Sequence, residues 1–216
     1  MAGGNRALRR PVTVLPLLFL LLPGCQSSPP RRPAGGLDEG PTRWLMLPEE
    51  VHQYRRLRST RETVDFNEAF WRRRDPDPTT HGSEFAKTFY ERVDAADRLY
   101  SEDGVRGSLT DRGRVLVLLG PPPVLRYGQK KVPAWEPGHP GSPSNVHTHD
   151  IVLESWVYPV AELPPALAER IQADDPRPEI VLVFAVESRQ THLIDGEKYL
   201  DMAVHAAVRE EQGGLK

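Results

Sequence analysis

A chain of 216 residues, 38% hydrophobic and 27% charged, holds enough apolar material for one packed core, which excludes a wholly disordered protein. Its single cysteine excludes an intramolecular disulfide and a cysteine-built zinc site. A formal net charge of -2 excludes the basic domain typical of nucleic-acid binders, so no nucleic-acid partner is expected.

Residues 1–24 begin with Arg6, Arg9 and Arg10, continue as an apolar run over 12–22, and end in Pro23-Gly24 before Cys25, the architecture of a secretory signal peptide. The run is too short for a membrane-spanning helix, which takes about 20 residues. The segment Leu22-Pro23-Gly24-Cys25 resembles the bacterial lipoprotein lipobox. That resemblance implies that Cys25 is diacylated on sulfur, becomes the first residue after cleavage and is acylated again on its amine, with palmitate among the acyl chains. Several acyl chains make a stable anchor where one is marginal. It also implies a lipid-anchored place in the cell envelope. Gln26 in place of an aspartate favours the outer membrane over the inner where both exist. After cleavage 25 basic residues face 30 acidic ones. Residues 25–43 read as the lipidated cysteine and a Pro/Gly/Ser-rich tether reaching up to about 50 Å. The folded domain is expected over 44–212.

Pro48 before Glu49 and Glu50 suits a helix start. Ser59 and Glu62 have capping-box spacing and open a helix to Arg74 with Val64, Phe66, Phe70 and Trp71 as its apolar stripe. A third helix is expected from Ser83 to before Asp103-Gly104, presenting Phe85, Phe89, Val93, Ala96 and Leu99. The continuous apolar run 115–119 between Gly113 and Gly120 predicts a buried strand, and 124–127 a shorter one after three prolines. Residues 128–149 show no periodicity and predict a long exposed loop in which Trp135 is a candidate partner contact. Strands are expected over 151–158, 180–187 and 191–194, a short helix near 165–173, and a last helix over 197–210. The whole reads as an α+β fold: N-terminal helices packed on a small, mostly antiparallel sheet, with a C-terminal helix.

Several segments together resemble the GWxTD domain family. They are Phe70-Trp71-Arg72-Arg73-Arg74-Asp75-Pro76, Glu84-Phe85, Tyr90-Glu91-Arg92-Val93, Gly107-Ser108-Leu109-Thr110-Asp111-Arg112-Gly113-Arg114-Val115 and Gly120-Pro121-Pro122. Glu154-Ser155-Trp156-Val157-Tyr158 is similar to a later E-x-W-x-Y strand of the family. The resemblance covers about 44–187. Ser108 stands where the naming motif has tryptophan, and Ser83 where asparagine is usual. The family occurs in bacterial envelope and secreted proteins and has no settled activity, so the resemblance implies a fold unit and a location without a reaction.

The charges of Arg73, Arg74, Asp75, Arg92, Asp97, Asp111, Arg112 and Arg114 alternate along segments expected to pack together. Arginine holds carboxylates through a planar fork, so one reading is an ion-pair clasp between helices and sheet. Trp71, Glu84, Gly107, Thr110, Gly113 and Trp156 are the other motif residues assigned to the clasp or to a ligand site. Two functions compete. The first is a lipid-anchored, non-enzymatic envelope module that binds or scaffolds a protein or cell-wall partner through its sheet edge or the 128–149 loop. The second is an envelope enzyme whose site uses Asp75, Arg92 and Asp111, which requires their carboxylates to converge on an open pocket. Nucleophile-elbow, phosphate-loop and dinucleotide signatures are missing, so no cofactor and no catalytic residue is assigned. His147, His149 and Asp150 have the donor types of a zinc or copper site but lie in a polar stretch without legible support.

Overall fold

The computed structural model describes residues 36–75, 83–136, 145–187 and 190–208, and the side chains of 134–136 and 145–147 fall outside the description. The predicted signal, Cys25, most of the tether and the end of the chain lie outside the described residues. A helical turn at Pro41–Leu45 leads into α1 (Pro48–Tyr54), α2 (Thr60–Arg72) and α3 (Glu84–Leu99). The start signals read from the sequence act as caps. Pro48 is the first residue of α1, and the Ser59 hydroxyl accepts the Glu62 N–H while the Glu62 carboxylate accepts the Ser59 N–H. Ser83 caps α3 by accepting the Ala86 N–H. Two stripe residues are corrected: Val64 and Leu99 are exposed, while Phe66, Phe70, Phe89, Val93 and Ala96 are buried.

Residues 115–119 are not a strand. They form most of α4 (Asp111–Leu119), a nine-residue helix packed against α3, α6 and β4. Val115, Leu116, Val117 and Leu119 are all buried, so the run is apolar on every side and carries no helical period. The boundaries did carry the helix: Thr110 accepts the Gly113 N–H as N-cap, Asp111 occupies the first turn, and Gly120 ends it at φ +86°.

The second correction is larger. Residues 128–136 and 145–149 are not loop: β1 (Val124–Glu136) pairs antiparallel along its whole length with residues 145–157 of β2 (Asn145–Pro159), and 137–144 lie outside the described residues. β3 (Glu179–Glu187) and β4 (Gln190–Asp195) complete an antiparallel sheet in the order β1-β2-β3-β4. β3 reaches β2 only from Val152 onward, so 145–151 pair with β1 alone and the hairpin extends past the sheet as a two-stranded ribbon. Residues 128–131 and 148–150 of this ribbon are exposed on both faces and have no reason to alternate apolar and polar residues, which is why Gln129-Lys130-Lys131 looked like loop. α5 (Pro165–Asp174) lies between β2 and β3, and α6 (Glu197–Ala207) ends the described chain.

The architecture is α+β with a C-terminal helix. Trp156 and Tyr158 of β2 and Ile180, Leu182 and Phe184 of β3 share one face of the sheet, alternating as the pleat requires. Against them pack Phe89, Val93 and Ala96 of α3, Val115 and Leu116 of α4, Ile171 of α5 and Leu200 of α6.

Candidate functional site

The motif residues gather where α3, α4 and the sheet meet, and backbone geometry comes first. A Cβ on Gly107 would overlap the Ala96 carbonyl of α3, and one on Gly113 would overlap the Gly107 carbonyl. Only glycine lets the 107–109 turn fit between the two helices. The turn is then held by side chains. Asp97 accepts the Ser108 N–H at 2.8 Å and pairs with Arg106, and Ser101 accepts the Gly107 N–H at 3.0 Å. Thr110 donates its hydroxyl to the Gly107 carbonyl while it caps α4. Burial acts against the Asp97 charge, yet the bonds from Ser108 and Arg106 outweigh it and hold the carboxyl below its usual range. Ser108 is buried, and its carbonyl accepts the Trp44 indole N–H at 2.9 Å.

Arg112 leaves the first turn of α4 and bridges two carboxylates, Glu102 at 2.5 Å and Glu154 at 3.3 Å. Glu154 accepts the Trp156 indole N–H at 2.6 Å on its other oxygen, and Glu102 accepts the Thr191 N–H of β4 at 2.8 Å. Burial again opposes the charge of Glu102, but the bonds from Arg112 and Thr191 prevail and its carboxyl is held low. Tyr100 lies under the Arg112 guanidinium and against Trp156. Two residues further along β2, the Tyr158 hydroxyl donates to the Gly120 carbonyl at 2.9 Å. The E-x-W-x-Y spacing thus places three polar tips on the helix-facing side of one strand, each with its partner.

Arg74, Asp75, Arg92 and Asp111 do not form one group. Arg74 is fully buried and grips Glu50 with both nitrogens, at 2.6 and 3.0 Å, while it also donates to the Leu45 and Phe70 carbonyls. Arg73 joins the same carboxylate at 2.7 Å. Asp75 is buried next to them in sequence. Arg92 donates to the carbonyls of Val117 and Leu118 at the C-terminal end of α4, whereas Asp111 sits at its N-terminal end and accepts the Leu193 N–H at 2.8 Å. A nine-residue helix keeps those two ends roughly 12 Å apart. The convergence of Asp75, Arg92 and Asp111 that the enzyme reading requires is not met, since Arg92 and Asp111 lie at opposite ends of α4. The clasp exists, but the acids that hold Arg74 and Arg112 are Glu50, Glu102 and Glu154, while Asp97 pairs with Arg106 and Glu197 with Arg114. Glu50 and Glu102 lie outside the motifs read in the sequence, and only the capping position of Glu50 beside Pro48 gave any signal of it.

Trp71 packs edge-on to Phe70 and against Phe89 and Tyr90, which joins α2 to α3. Glu84 is an exposed acid in the first turn of α3. Arg114 pairs with Glu197 of α6 at 2.6 Å and lies over Trp44. His149 and Asp150, adjacent on β2, point to opposite faces of the ribbon, opposite Val132 and Lys131. They cannot share an ion, and the His147 side chain lies outside the described residues. Among the described residues no group of three histidine, cysteine or acidic side chains is placed to hold a metal. Hollows also open among the described residues. One of about 200 Å³ lies between Glu102, Asp111, Thr191 and His192, and one of about 710 Å³ between Arg177, Ile194, Gly196 and Lys198.

The family model of the GWxTD domain matches residues 39–147, half of the chain. The chain belongs to the GWxTD domain family. No curated protein and no solved structure matches it. The matched span ends inside the β1–β2 hairpin, so Glu154 and Trp156, which complete the Arg112 bridge, lie beyond it. Within the GWxTD motif Gly107 serves close approach, as does Gly113 two residues past the motif, the threonine caps α4, the aspartate holds β4, and Ser108 replaces the tryptophan in a fully buried position where its carbonyl accepts the Trp44 indole N–H. No helix among the described residues is long and apolar enough to cross a membrane.

Proposed function

We propose that this GWxTD protein is a lipid-anchored module of the bacterial cell envelope that binds or scaffolds a protein partner and carries out no reaction of its own. The observation that carries the reading is the disposition of the motif charges. Arg74 and Arg112 grip carboxylates, Asp97 accepts the Ser108 N–H and pairs with Arg106, and Asp111 accepts the Leu193 N–H, so each of these charges is bonded to neighbouring structure. Charges engaged in joining helices to one another, as Arg74 and Asp97 are, or a helix to the sheet, as Arg112 and Asp111 are, serve the fold first. Anchoring is supported by the lipobox resemblance at Cys25 and by its Gln26 neighbour, which favours the outer membrane. The binding surface is the open edge of the sheet together with the ribbon of 128–136 and 145–151, on which Tyr127 at its root and Gln129, Lys130, Lys131, Thr148, His149 and Asp150 are exposed.

The enzyme reading keeps one specific observation. Asp111 and His192 approach within 4.0 Å in the hollow that also holds Glu102. A carboxylate orienting an imidazole is a general-base arrangement.

Metabolic labelling with a clickable fatty acid tests the anchor. The wild-type chain takes up label and the Cys25→Ser variant does not; equal labelling of both, or of neither, overturns the anchor. Crosslinked recovery of the anchored protein from its own envelope tests the module: one reproducible partner lost when the ribbon is altered supports it. A hydrolytic activity abolished by His192→Ala at unchanged melting temperature overturns it in favour of the enzyme.

A further inference from the structure

On the face of the sheet that carries the core, the helix layer stops one strand early. Trp156 of β2 is completely buried, yet Leu125, directly opposite it on β1, is 47% exposed. Tyr127, opposite Glu154, is 69% exposed, and Val152, opposite Gln129, is 42% exposed. Among the described residues no strand pairs with the outer edge of β1. An open edge beside uncovered apolar side chains is the arrangement that strand addition completes.

The sequence of β1 limits where an added strand can lie. A proline inside an edge strand sits where its missing N–H would face away from the neighbouring strand, and Pro133 stands inside β1 opposite Thr148. Residues an even number of positions away share that outward direction. The amides of Leu125, Tyr127, Gln129 and Lys131 therefore face the open side, and Pro123 and Pro133 bound the window.

Charge selects what fills it. Residues 124–131 include Arg126, Lys130 and Lys131 and no acid. Arg126 is turned inward across β2 onto Glu179 of β3, at 3.1 and 3.3 Å. Lys130 and Lys131 are exposed and make no ion pair among the described residues. Asp150 of β2 lies opposite Lys131, while Lys130 faces Ile151. Lysines on an open edge repel a second copy of the same edge and attract an acidic strand. Successive side chains also alternate in direction, so Lys131 points to the core side with Leu125 and Tyr127, and Lys130 to the other side. A flat anionic surface such as a membrane meets one of these faces, whereas a strand laid along the edge meets both. We infer that β1 takes up an extended acidic segment of a protein partner as a fifth strand, antiparallel like every other pair in the sheet. Its acids lie opposite Lys130 and Lys131, and its apolar side chains lie opposite Tyr127 and Leu125, where they continue the core past Trp156. The inference rests on the edge-binding reading above and names the chemistry of the partner.

A synthetic peptide with blocked ends, Glu-Glu-Thr-Thr-Val-Thr-Val, places two acids and two valines in that register. Its binding to the full-length protein in neutral detergent micelles is followed by the fluorescence anisotropy of an attached dye. Exchanging both glutamates for lysines is expected to weaken binding about tenfold or more, and the double variant Lys130→Glu with Lys131→Gln to reverse the preference. Proline at the third peptide position, whose amide faces Gln129, is expected to weaken binding about tenfold, and proline at the fourth, whose amide faces away, much less. No binding of the acidic peptide, equal affinity for the acidic and basic peptides, or equal effects of the two prolines overturns the inference. Photo-crosslinking in cells, with benzoylphenylalanine in place of Tyr127, reads the natural occupant. A crosslinked segment that is extended and acidic supports the inference, and a crosslink to a second copy or to lipid overturns it. A crosslink to a protein segment without acids also overturns it, and leaves the binding-module reading standing. Peptide binding as expected with no protein crosslinked at this edge overturns the binding-module reading instead.

Discussion

Replacing Arg74 by methionine removes a buried cation while keeping most of its volume. The side chain has no exposure, grips both oxygens of Glu50, donates to the Leu45 carbonyl at 2.6 Å and to the Phe70 carbonyl at 3.1 Å, and lies 3.8 Å above the Phe70 ring. Breaking a buried ion pair from one side costs about 3–5 kcal/mol. Glu50 retains Arg73 and the Leu47 N–H, which places the loss near the lower end, about 3 kcal/mol. For a domain of this size that is a fall of roughly 6–12 °C in melting temperature. The pH dependence adds a second signature. Burial opposes the Glu50 charge, but the bonds from Arg74 and Arg73 outweigh it and hold the folded carboxyl below its usual value. A depressed folded pKa contributes stability that is present above the unfolded value of about 4.3 and is lost as pH falls through the folded one. The gap between wild type and Arg74→Met is therefore widest near neutral pH and narrows below about pH 4. Thermal unfolding followed by circular dichroism from pH 7 to 3 measures both. A melting temperature within about 2 °C of wild type, or a gap that does not narrow in acid, refutes the reasoning.

Gly113→Ala forces a methyl into the Gly107 carbonyl, with a loss of more than about 2 kcal/mol by urea unfolding, whereas alanine at exposed Gly104 meets no neighbouring atom and is limited to the cost of its positive φ. Ser59→Ala removes one half of the capping box of α2 and lowers stability by about 1 kcal/mol, readable as a shift in the urea midpoint at unchanged slope.

How much of this was legible in the sequence depends on whether a residue's partner was local. Ser59 with Glu62, Ser83 before α3 and Pro48 before α1 are capping signals that act within one turn, and each was placed. The α+β class followed from the change of period between halves. Residues 115–119 and the strand residues 128–131 and 148–149 were misread for opposite reasons: the first are buried on every side and the others exposed on both, and hydrophobic periodicity reports only elements with one face in each environment. The clasp arginines stood out by their pattern, but their acids are 10 to 42 residues away in the chain. No spacing rule pairs Arg74 with Glu50, or Arg112 with Glu102 and Glu154. The pairing instead suggested, with Asp75 and Asp111, used the acids nearest in sequence.

The central claim is that the GWxTD motif charges hold α4 to the sheet. A double-mutant cycle in the full-length protein tests it most directly, with Arg112→Leu and Glu154→Gln, the second keeping an acceptor for the Trp156 indole. Equilibrium urea unfolding is expected to show both single variants less stable than wild type and a coupling of about 1–2 kcal/mol between them. Single variants as stable as wild type or more so, with no coupling, would contradict the claim and return Arg112 to the class of residues kept for a ligand at a cost in stability.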